Sequence, residues 1–437
     1  MNNSLSKRGK IAADKVLRID LDVSMEAAEN IYDPVLNPDG VFPLSVAENR
    51  LLWDVLKQKF QEIAAENTLD DWVLGYTSAS GSAQFREAVA NFYQRHITKC
   101  RIDPASLACS PGATGIVEMT GILLADPGDV FAVPAPCYPV YRQDFGNISG
   151  LERYDIQTFE KLDELHHGPL LNLMDLEAAK AEIEASGKQL KILLITSPDN
   201  PTGIRYSSKH LEEMMDWCEA REIHLIFNEI YALSLIDSTR EPIIQDYPQT
   251  ENFDSFAFLM SSRKSNYFHH WYSFSKDFGI SGFRVGILHS HNEALMGAYE
   301  NYNLTHSVSN HTQWLLVKLL EDELFINNYI KENSKLLTNS YIHVIELLRK
   351  HNIPYVPSSG GLFVWADFSN YLTDQSEEAE IDFWQKTYQA TGVLFTPGNG
   401  FGHKGFGFFR IVYPYVKFDL LKVAMDRLDA YLTSYQS

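Results

Sequence analysis

Short apolar segments alternate with segments of helical spacing in the middle of the chain, from about residue 85 to residue 300. The apolar segments have the length of buried strands: SLACS, DVFAVPAP (129–136), KILLITS (191–197), HLIF and HWYSFS. Between them, helices are predicted for GATGIVEMTGILLAD, for MDLEAAKAEIEASG with Gly187 at its end, and for SSKHLEEMMDWCEAREI with Ser207 or Ser208 as N-cap. Nearly continuous apolar strands alternating with helices are typical of a mostly parallel, doubly wound α/β sheet.

A second, smaller α+β domain is predicted for the last third of the chain. Residues 306–350 are strongly helical in pattern, and the remainder mixes short strands (GGLFVWADF, GFFRIVYPYV) with a C-terminal helix, DLLKVAMDRLDAYLTSY. We therefore predict a large α/β domain over residues 51–305. Residues 1–50 and 306–437 would form an N-terminal arm and the small α+β domain.

The composition is that of an ordinary globular protein and the charge is strongly acidic. Of 437 residues, 45% are hydrophobic and 22% are charged, and 57 Asp and Glu against 37 Lys and Arg give a formal net charge of −20. An acidic surface repels nucleic-acid phosphates and anionic lipids. No apolar run approaches the ~20 residues of a membrane-spanning helix. We expect neither nucleic-acid nor membrane partners.

Cysteine and histidine spacing gives no sign of a metal site. The four cysteines form neither a metal motif nor the dense framework of a small secreted domain, and the polar N-terminal segment MNNSLSKRGKIAADK lacks the apolar core of a signal peptide. We expect reduced thiols in a cytoplasmic protein. The pairs His166–His167 and His269–His270 lack the spacing of metal ligands, so no metal is predicted.

Chemically useful side chains follow the predicted strands, where ligands of open α/β sheets bind. After the first strand, small residues open a helix whose N–H groups suit an anion. Later strands are followed by an aromatic residue, by amides, by a phenol, by a lysine and by an arginine. In chain order the candidates are Gly112, Ala113, Thr114, Tyr138, Asn200, Asn228, Tyr231, Ser275, Lys276 and Arg284.

Together these residues favour a phosphorylated, planar, electrophilic cofactor. The amine of Lys276 would form a Schiff base, the anion cradle and Arg284 would hold the phosphate, and the aromatic and polar groups would hold the ring. Each signal alone is weak, because a lone strand-end lysine is usually a surface lysine and a lone GATG is usually a tight turn. Their joint occurrence at successive strand ends favours the cofactor site.

Several segments resemble the fold-type I pyridoxal 5'-phosphate (PLP) enzymes of the aminotransferase class I/II family. SFSKDFGISGFRVG (273–286) is similar to the lysine motif of the family, and SPDNPTG and NEIYA are similar to its asparagine and Asp-x-x-Tyr motifs. The likeness is strongest to aminocyclopropane-carboxylate synthases, through NPDGVFPLSVAENRL (37–51), PGATGIVEMTGILLADPGDVFAVPAPCYP (111–139), SVSNHTQWLL (307–316) and PSSGGLFVWADF (357–368). It implies an aspartate-aminotransferase-like fold, PLP as cofactor, amino-acid and 2-oxo-acid substrates, and a homodimer with shared active sites.

The resemblance also implies a role for each matching position. Lys276 would carry the cofactor and move the Cα proton. Asn200 and Tyr231 would hydrogen-bond the phenolic oxygen of the ring, and Tyr138 would stack on the ring. The phosphate would be held by Ala113, Thr114, Ser273, Ser275 and Arg284. On the substrate side, Arg410 would clamp the α-carboxylate, and Glu48 would border the pocket.

Two positions depart from the pattern of the family. Asn228 stands where the family has the aspartate that keeps the pyridine nitrogen protonated, and an amide supplies no charge for that task. Glu229 should not substitute, because consecutive strand residues point to opposite faces. Ala79 stands where the synthases have a tyrosine; Tyr76 is the nearest phenol and a candidate for reaching the site of a neighbouring subunit.

The resulting hypothesis is a PLP-dependent aminotransferase acting on an α-amino acid. A PLP-dependent β- or γ-elimination lyase, or an enzyme similar to aminocyclopropane-carboxylate synthase, is the alternative that the synthase-like SVAENR segment favours. A PLP-binding protein with little catalysis is the second alternative, and it rests on Asn228.

Overall fold

The structure is a computed structural model that describes residues 4–13, 19–159, 162, 171–246 and 254–435. Its larger sheet contains seven strands in the order β1-β7-β6-β5-β4-β2-β3. The strands are β1 Leu107–Ser110, β2 Val130–Ala135, β3 Glu152–Gln157, β4 Leu190–Thr196, β5 His224–Asn228, β6 Phe268–Ser273 and β7 Gly286–Ser290. β3, β2, β4, β5 and β6 are parallel neighbours, and β7 runs antiparallel to both β6 and β1. The predicted mostly parallel sheet is confirmed.

α-Helices make up much of the rest of the described fold, and several of them cover this sheet. In chain order they are α1 Lys7–Ala13, α2 Ile19–Ala28, α3 Trp53–Glu66, α4 Ala83–His96, α5 Gly112–Leu124, α6 Tyr141–Gly146, α7 Leu173–Ala185, α8 Ser208–Glu219, α9 Phe256–Ser262, α10 Phe274–Asp277, α11 Glu293–Tyr302, α12 Asn310–Glu321, α13 Glu323–Lys350, α14 Glu377–Thr391 and α15 Phe418–Tyr435. α7 begins with a capping box between Asn172 and Asp175, and Gly187 follows its end with φ +80°.

The sheet is covered on both faces, which explains why its central strands are apolar throughout. In β4, Ile192 and Leu194 pack with α5, α6 and α11, whereas Leu193 and Ile195 pack with α7, α8 and α9. Period-two alternation therefore sends successive apolar residues into two different cores. The doubly wound arrangement follows from this pattern.

A smaller antiparallel sheet lies in the C-terminal third of the chain, in the order β8-β10-β9. Its strands are β8 Phe363–Asp367, β9 Thr396–Pro397 and β10 Phe408–Val412. They pack with α14, α15 and the second half of α13.

The helix α13 joins the two cores. Ile326 and Tyr329 in its first half pack with α3, α4 and α12, and Tyr341 and Val344 in its second half pack against the small sheet. We keep the two-domain division as a proposal, and the packing favours a boundary inside α13.

Three further findings bear on the sequence-based expectations. None of the helices in the described ranges has the length and apolar character needed to cross a bilayer. Within the same ranges no cluster of His, Cys, Asp and Glu is arranged to hold a metal ion, and Cys100, Cys109, Cys137 and Cys218 are free thiols. His269 and His270 are fully buried packing residues, whereas His166–His167 lie outside the described residues.

Candidate active site

A pocket of about 410 Å³ opens at the carboxyl ends of the parallel strands. Because β4, β5 and β6 run in the same direction, their last residues meet at one edge of the sheet, as the sequence predicts. Among the described residues, the pocket lining includes every predicted site residue except Gly112 and Tyr76: Glu48, Ala113, Thr114, Tyr138, Asn200, Asn228, Tyr231, Ser273, Ser275, Lys276, Arg284 and Arg410.

An anion cradle forms at the N-terminus of α5. Gly112 has φ +77°, and a Cβ built there would lie 2.5 Å from Nη2 of Arg284, so the guanidinium lies directly against this glycine. Ser273 and Ser275 line the same pocket, with their Oγ atoms 2.9 Å apart. Helix N–H groups, two hydroxyls and a guanidinium are donors that suit a phosphate group.

Lys276 lies in the short helix α10, directly after β6. Its Nζ donates to the carbonyl oxygen of Ala47 at 2.6 Å. Burial, aided by the positive charge of Arg410, lowers the pKa of Lys276 to about 8, although the charge of Glu48 opposes this effect. The amine therefore loses its proton near pH 8 instead of near 10.5, which makes more of the unprotonated form available to react with a carbonyl group.

Arg410 reaches the pocket from the small sheet. Its Nη1 donates to Oδ1 of Asn200 at 2.9 Å, and its Nη2 donates to the Ser45 carbonyl at 2.8 Å. The guanidinium also lies 4.9 Å from the ring centroid of Phe363 and 5.3 Å from that of Phe401. These contacts fix a buried, planar cation at the wall of the pocket, an arrangement suited to binding a carboxylate.

Asn228 ends β5 at the floor of the pocket and takes part in a chain of hydrogen bonds. Its Nδ2 donates to Oη of Tyr141 at 2.6 Å, and Tyr141 lies 3.0 Å from Oγ1 of Thr196. Glu229 points to the other face, as expected, where it bonds to His270. Tyr231 is buried, and burial raises the pKa of its phenol.

Glu48 and Tyr76 occupy very different environments. Both Nε and Nη2 of Arg50 donate to Oε2 of Glu48, at 2.9 and 2.7 Å. Tyr76 is fully exposed, outside the pocket of its own chain. The loop that follows Tyr76 is anchored to α11, because Glu300 accepts hydrogen bonds from the N–H groups of Ala79 and Ser80 at 3.0 and 2.9 Å.

Sequence reasoning missed several residues that line the pocket, chiefly Tyr141, Thr196, Ser45, Ala47 and Asp144. Two signals were available for them. Thr196 is the second-last residue of the predicted strand KILLITS, and Tyr141 stands three residues after Tyr138. Ser45 and Ala47 belong to the SVAENR segment, but they contribute carbonyl groups, which a sequence pattern does not reveal.

Comparison with known proteins identifies the family. The profile of the family described as aminotransferase class I and II matches residues 40–428. The chain belongs to this family. Among curated aminotransferase class I and II relatives, 1-aminocyclopropane-1-carboxylate synthase 8 of Arabidopsis thaliana is 30% identical over 421 residues, covering 93% of this chain and 86% of the relative.

Solved structures of the class I and II family share the fold. Aspartate aminotransferase from Thermus thermophilus with maleate superposes with a TM-score of 0.77 and 20% identity, covering 98% of this chain and 100% of the other. Aspartate aminotransferase from Thermotoga maritima superposes with a TM-score of 0.75, 20% identity and the same coverage. The predicted aspartate-aminotransferase-like α/β fold is confirmed.

Members of the class I and II family depend on PLP, and the pocket fits this cofactor. The cradle between Gly112 and Arg284 suits its phosphate, and Lys276 has the lowered pKa that its aldehyde requires. The chain is therefore a PLP-dependent enzyme of the aminotransferase class I and II family.

Proposed function

We propose that this enzyme transfers the amino group of an α-amino acid to a 2-oxo acid. The observation that carries the proposal is the presence of Lys276 and Arg410 on the walls of one pocket. Arg410 would hold the substrate carboxylate, and Lys276 would bind the cofactor and then move the proton of the substrate Cα.

The other pocket residues would bind and orient PLP. When bound, PLP supplies an electron-accepting ring that stabilises negative charge at the substrate Cα. Asn200 and Tyr231 would hydrogen-bond the phenolic oxygen, and Tyr138 would lie over the ring. The phosphate would be held by Ala113, Thr114, Ser273, Ser275 and Arg284.

A β- or γ-elimination is the second candidate, and Asn228 favours it. Transfer of the amino group depends strongly on electron withdrawal by the ring, and Asn228 provides no negative charge to keep the pyridine nitrogen protonated. Glu48, in the synthase-like SVAENR segment, lines the same pocket. The curated relative from Arabidopsis is a 1-aminocyclopropane-1-carboxylate synthase rather than an aminotransferase.

We further propose that the enzyme is a homodimer with shared active sites. Leu74, Tyr302 and Leu304 are exposed apolar side chains, and a hydrogen bond from Ser78 to Glu300 links the two segments of the chain near them. Exposed apolar side chains of this kind are typical of a subunit interface. Tyr76 would then act in the pocket of the partner subunit.

The two reactions are distinguished by their products. Purified holoenzyme is incubated with a panel of amino acids, and 2-oxo acid, pyridoxamine phosphate and ammonia are measured. Transamination predicts equal amounts of 2-oxo acid and pyridoxamine phosphate from at least one amino acid. Ammonia formation with PLP retained would reject transamination and support elimination.

The variant Asn228→Asp tests the role assigned to the amide. Because an aspartate would hold the pyridine nitrogen protonated, the rate of the first half of the transamination should rise, by about tenfold or more. The measurement is single-turnover absorbance with the amino acids active in the panel. An unchanged or lower rate would mean that Asn228 does not act on the ring nitrogen.

A further inference from the structure

The side-chain amide of Asn228 is held in one orientation by two neighbours. The backbone N–H of Ile230 donates to its Oδ1 at 3.3 Å, and its Nδ2 donates to Oη of Tyr141 at 2.6 Å. A backbone N–H group can only donate, so the flipped amide would bring two N–H groups together. The NH₂ end therefore faces Tyr141 and the floor of the pocket.

Tyr141 is itself fixed as a neutral phenol. It is buried, and burial raises the pKa of its hydroxyl. Since Oη accepts from Asn228, its own proton is directed to Oγ1 of Thr196, 3.0 Å away. The ring lies edge-on to Tyr138, with centroids 5.2 Å apart. The chain of donors thus runs from Asn228 through Tyr141 to Thr196.

The charges around the pocket do not favour a cation at its floor. Lys276, Arg284 and Arg410 all line it. Among the described residues that line it, the carboxylates are those of Glu48, which is paired with Arg50, and Asp144. Burial, together with the neighbouring charge of Glu118, raises the pKa of Asp144 to about 7, so near pH 7 its charge is only partial.

We propose that Asn228 donates an Nδ2–H bond to the pyridine nitrogen of PLP, that this nitrogen is unprotonated, and that Tyr141 is the positioning residue that holds the amide in this orientation. The inference rests on the proposed function in one respect, since it requires PLP in this pocket. One hydrogen of Nδ2 is used by Tyr141, and the second remains for the ring nitrogen. A pyridine nitrogen that accepts this bond carries no proton.

This arrangement has a consequence for the reaction. A neutral pyridine ring withdraws fewer electrons than a pyridinium ring, so negative charge stays closer to the substrate Cα. Departure of a β-leaving group, or displacement of a γ-leaving group by the Cα electron pair itself, consumes the charge formed at Cα. Amino transfer instead requires that this charge pass into the cofactor ring. The inference therefore favours a substrate with a leaving group on its side chain.

Nitrogen-15 NMR of holoenzyme reconstituted with ring-¹⁵N-labelled PLP tests the protonation state. We expect the wild-type resonance at the position of an unprotonated pyridine that accepts a hydrogen bond. Asn228→Asp should move it far upfield, to the position of a pyridinium. A wild-type resonance already at the pyridinium position would overturn the proposal.

Two variants test the positioning role of Tyr141. Tyr141→Phe removes one anchor of the amide and should shift the resonance downfield, toward a pyridine without a donor. Thr196→Val breaks the same chain at its other end and should shift it in the same direction. Asp144→Asn, in the same pocket, should leave the resonance where it is.

Other outcomes separate the failure of this inference from that of the proposed function. Unshifted resonances in both Tyr141→Phe and Thr196→Val would mean that Tyr141 does not position the amide of Asn228. A shifted resonance in Asp144→Asn would mean that the carboxylate of Asp144 controls the protonation of the ring nitrogen, and it would overturn the proposal. If no labelled PLP is bound at Lys276, the proposed function fails along with it.

Discussion

The guanidinium of Arg410 is held in place before any substrate is present. The Asn200 side chain and the Ser45 carbonyl accept its hydrogen bonds, and two aromatic rings flank it. Such preorganisation reduces the entropy lost when a carboxylate binds. The Lys276 amine is similarly prepared, because its surroundings lower its pKa.

Arg410→Lys should weaken the use of every α-amino acid. Lysine cannot bind the substrate carboxylate through two parallel hydrogen bonds, and the loss of one charged hydrogen bond costs about 2 kcal/mol, or roughly 30-fold in kcat/KM. The measurement is steady-state kinetics with the best amino acid from the panel.

Arg349→Lys is the matched control for this change. Arg349 is paired with Asp246 at 2.7 Å and does not line the pocket. Its replacement should leave kcat/KM unchanged. An equal loss in both variants would mean that Arg410 acts through stability rather than through substrate binding.

Cofactor capture should depend on pH through Lys276. Only the unprotonated amine attacks the aldehyde, so the rate at which apoenzyme binds PLP should rise with pH through about 8 and level off above it. Glu48→Gln should move the midpoint lower, because the negative charge of Glu48 raises the pKa. A midpoint near 10.5, the ordinary lysine value, would contradict this account.

Residue types at strand ends could be predicted from the sequence, but their contacts could not. Lys276, Asn200 and Asn228 are recognisable because each stands just after a predicted strand, where ligands of open α/β sheets bind. The Asn228–Tyr141 bond depends on how α6 packs over the sheet, and the Ser45 and Ala47 carbonyls depend on the path of the chain before α3. Such details are set by tertiary packing.

At the scale of elements, prediction succeeded for β2, β4, β5 and β6, which are near-continuous apolar runs; β4 is buried at all but one position. β7, GILHS, was not predicted although all five of its residues are buried. The edge strand β3, ERYDIQ, was missed because only Ile156 is buried and the strand carries charged residues. Edge strands need no apolar pattern, so periodicity does not identify them.

The variant Gly112→Ala tests whether the close approach of Arg284 to the junction between β1 and α5 is needed for PLP binding. A Cβ there would lie 2.5 Å from Nη2 of Arg284 and would displace the guanidinium from the cradle. The loss of one charged phosphate contact predicts a dissociation constant for PLP at least about tenfold higher. Fluorescence titration of the apoenzyme measures it.

Gly128→Ala is the matched control for the glycine change. Gly128 also has a positive φ, +94°, but nothing lies within 4 Å of the Cβ position, and it lies outside the pocket. The Gly128→Ala variant should have a lower melting temperature, because an alanine at this positive φ adds backbone strain of about 1 kcal/mol. Its affinity for PLP should not change. Equal effects of the two variants on affinity would reject the steric argument.

At the scale of the whole molecule, the two cores are joined by α13, and the pocket lies between them. Arg410 comes from the small sheet, whereas Asn228 ends β5 of the large sheet and Lys276 lies in α10, directly after β6. The sequence indicated two domains from the change in pattern near residue 306. It could not show that α12 packs with α3 and α4, because these contacts join residues far apart in the chain.

The proposed dimer is testable by subunit complementation. Tyr76→Ala and Lys276→Ala would each inactivate the homodimer, but a mixed dimer would keep one pocket with an intact Lys276 and an intact Tyr76 from the partner. Random mixing of equal amounts should restore about a quarter of wild-type activity, because half of the dimers are mixed and each has one active pocket. No recovery after confirmed subunit exchange would place Tyr76 outside a shared site.

The identity of the lysine that carries PLP tests the central claim most directly. Purified holoenzyme is reduced with borohydride, digested and analysed by peptide mass spectrometry. The account predicts that the reduced cofactor is attached to Lys276 and that Lys276→Ala lacks both the attachment and the visible absorbance. Attachment to another lysine in the wild type, or an unchanged visible band in Lys276→Ala, would contradict it.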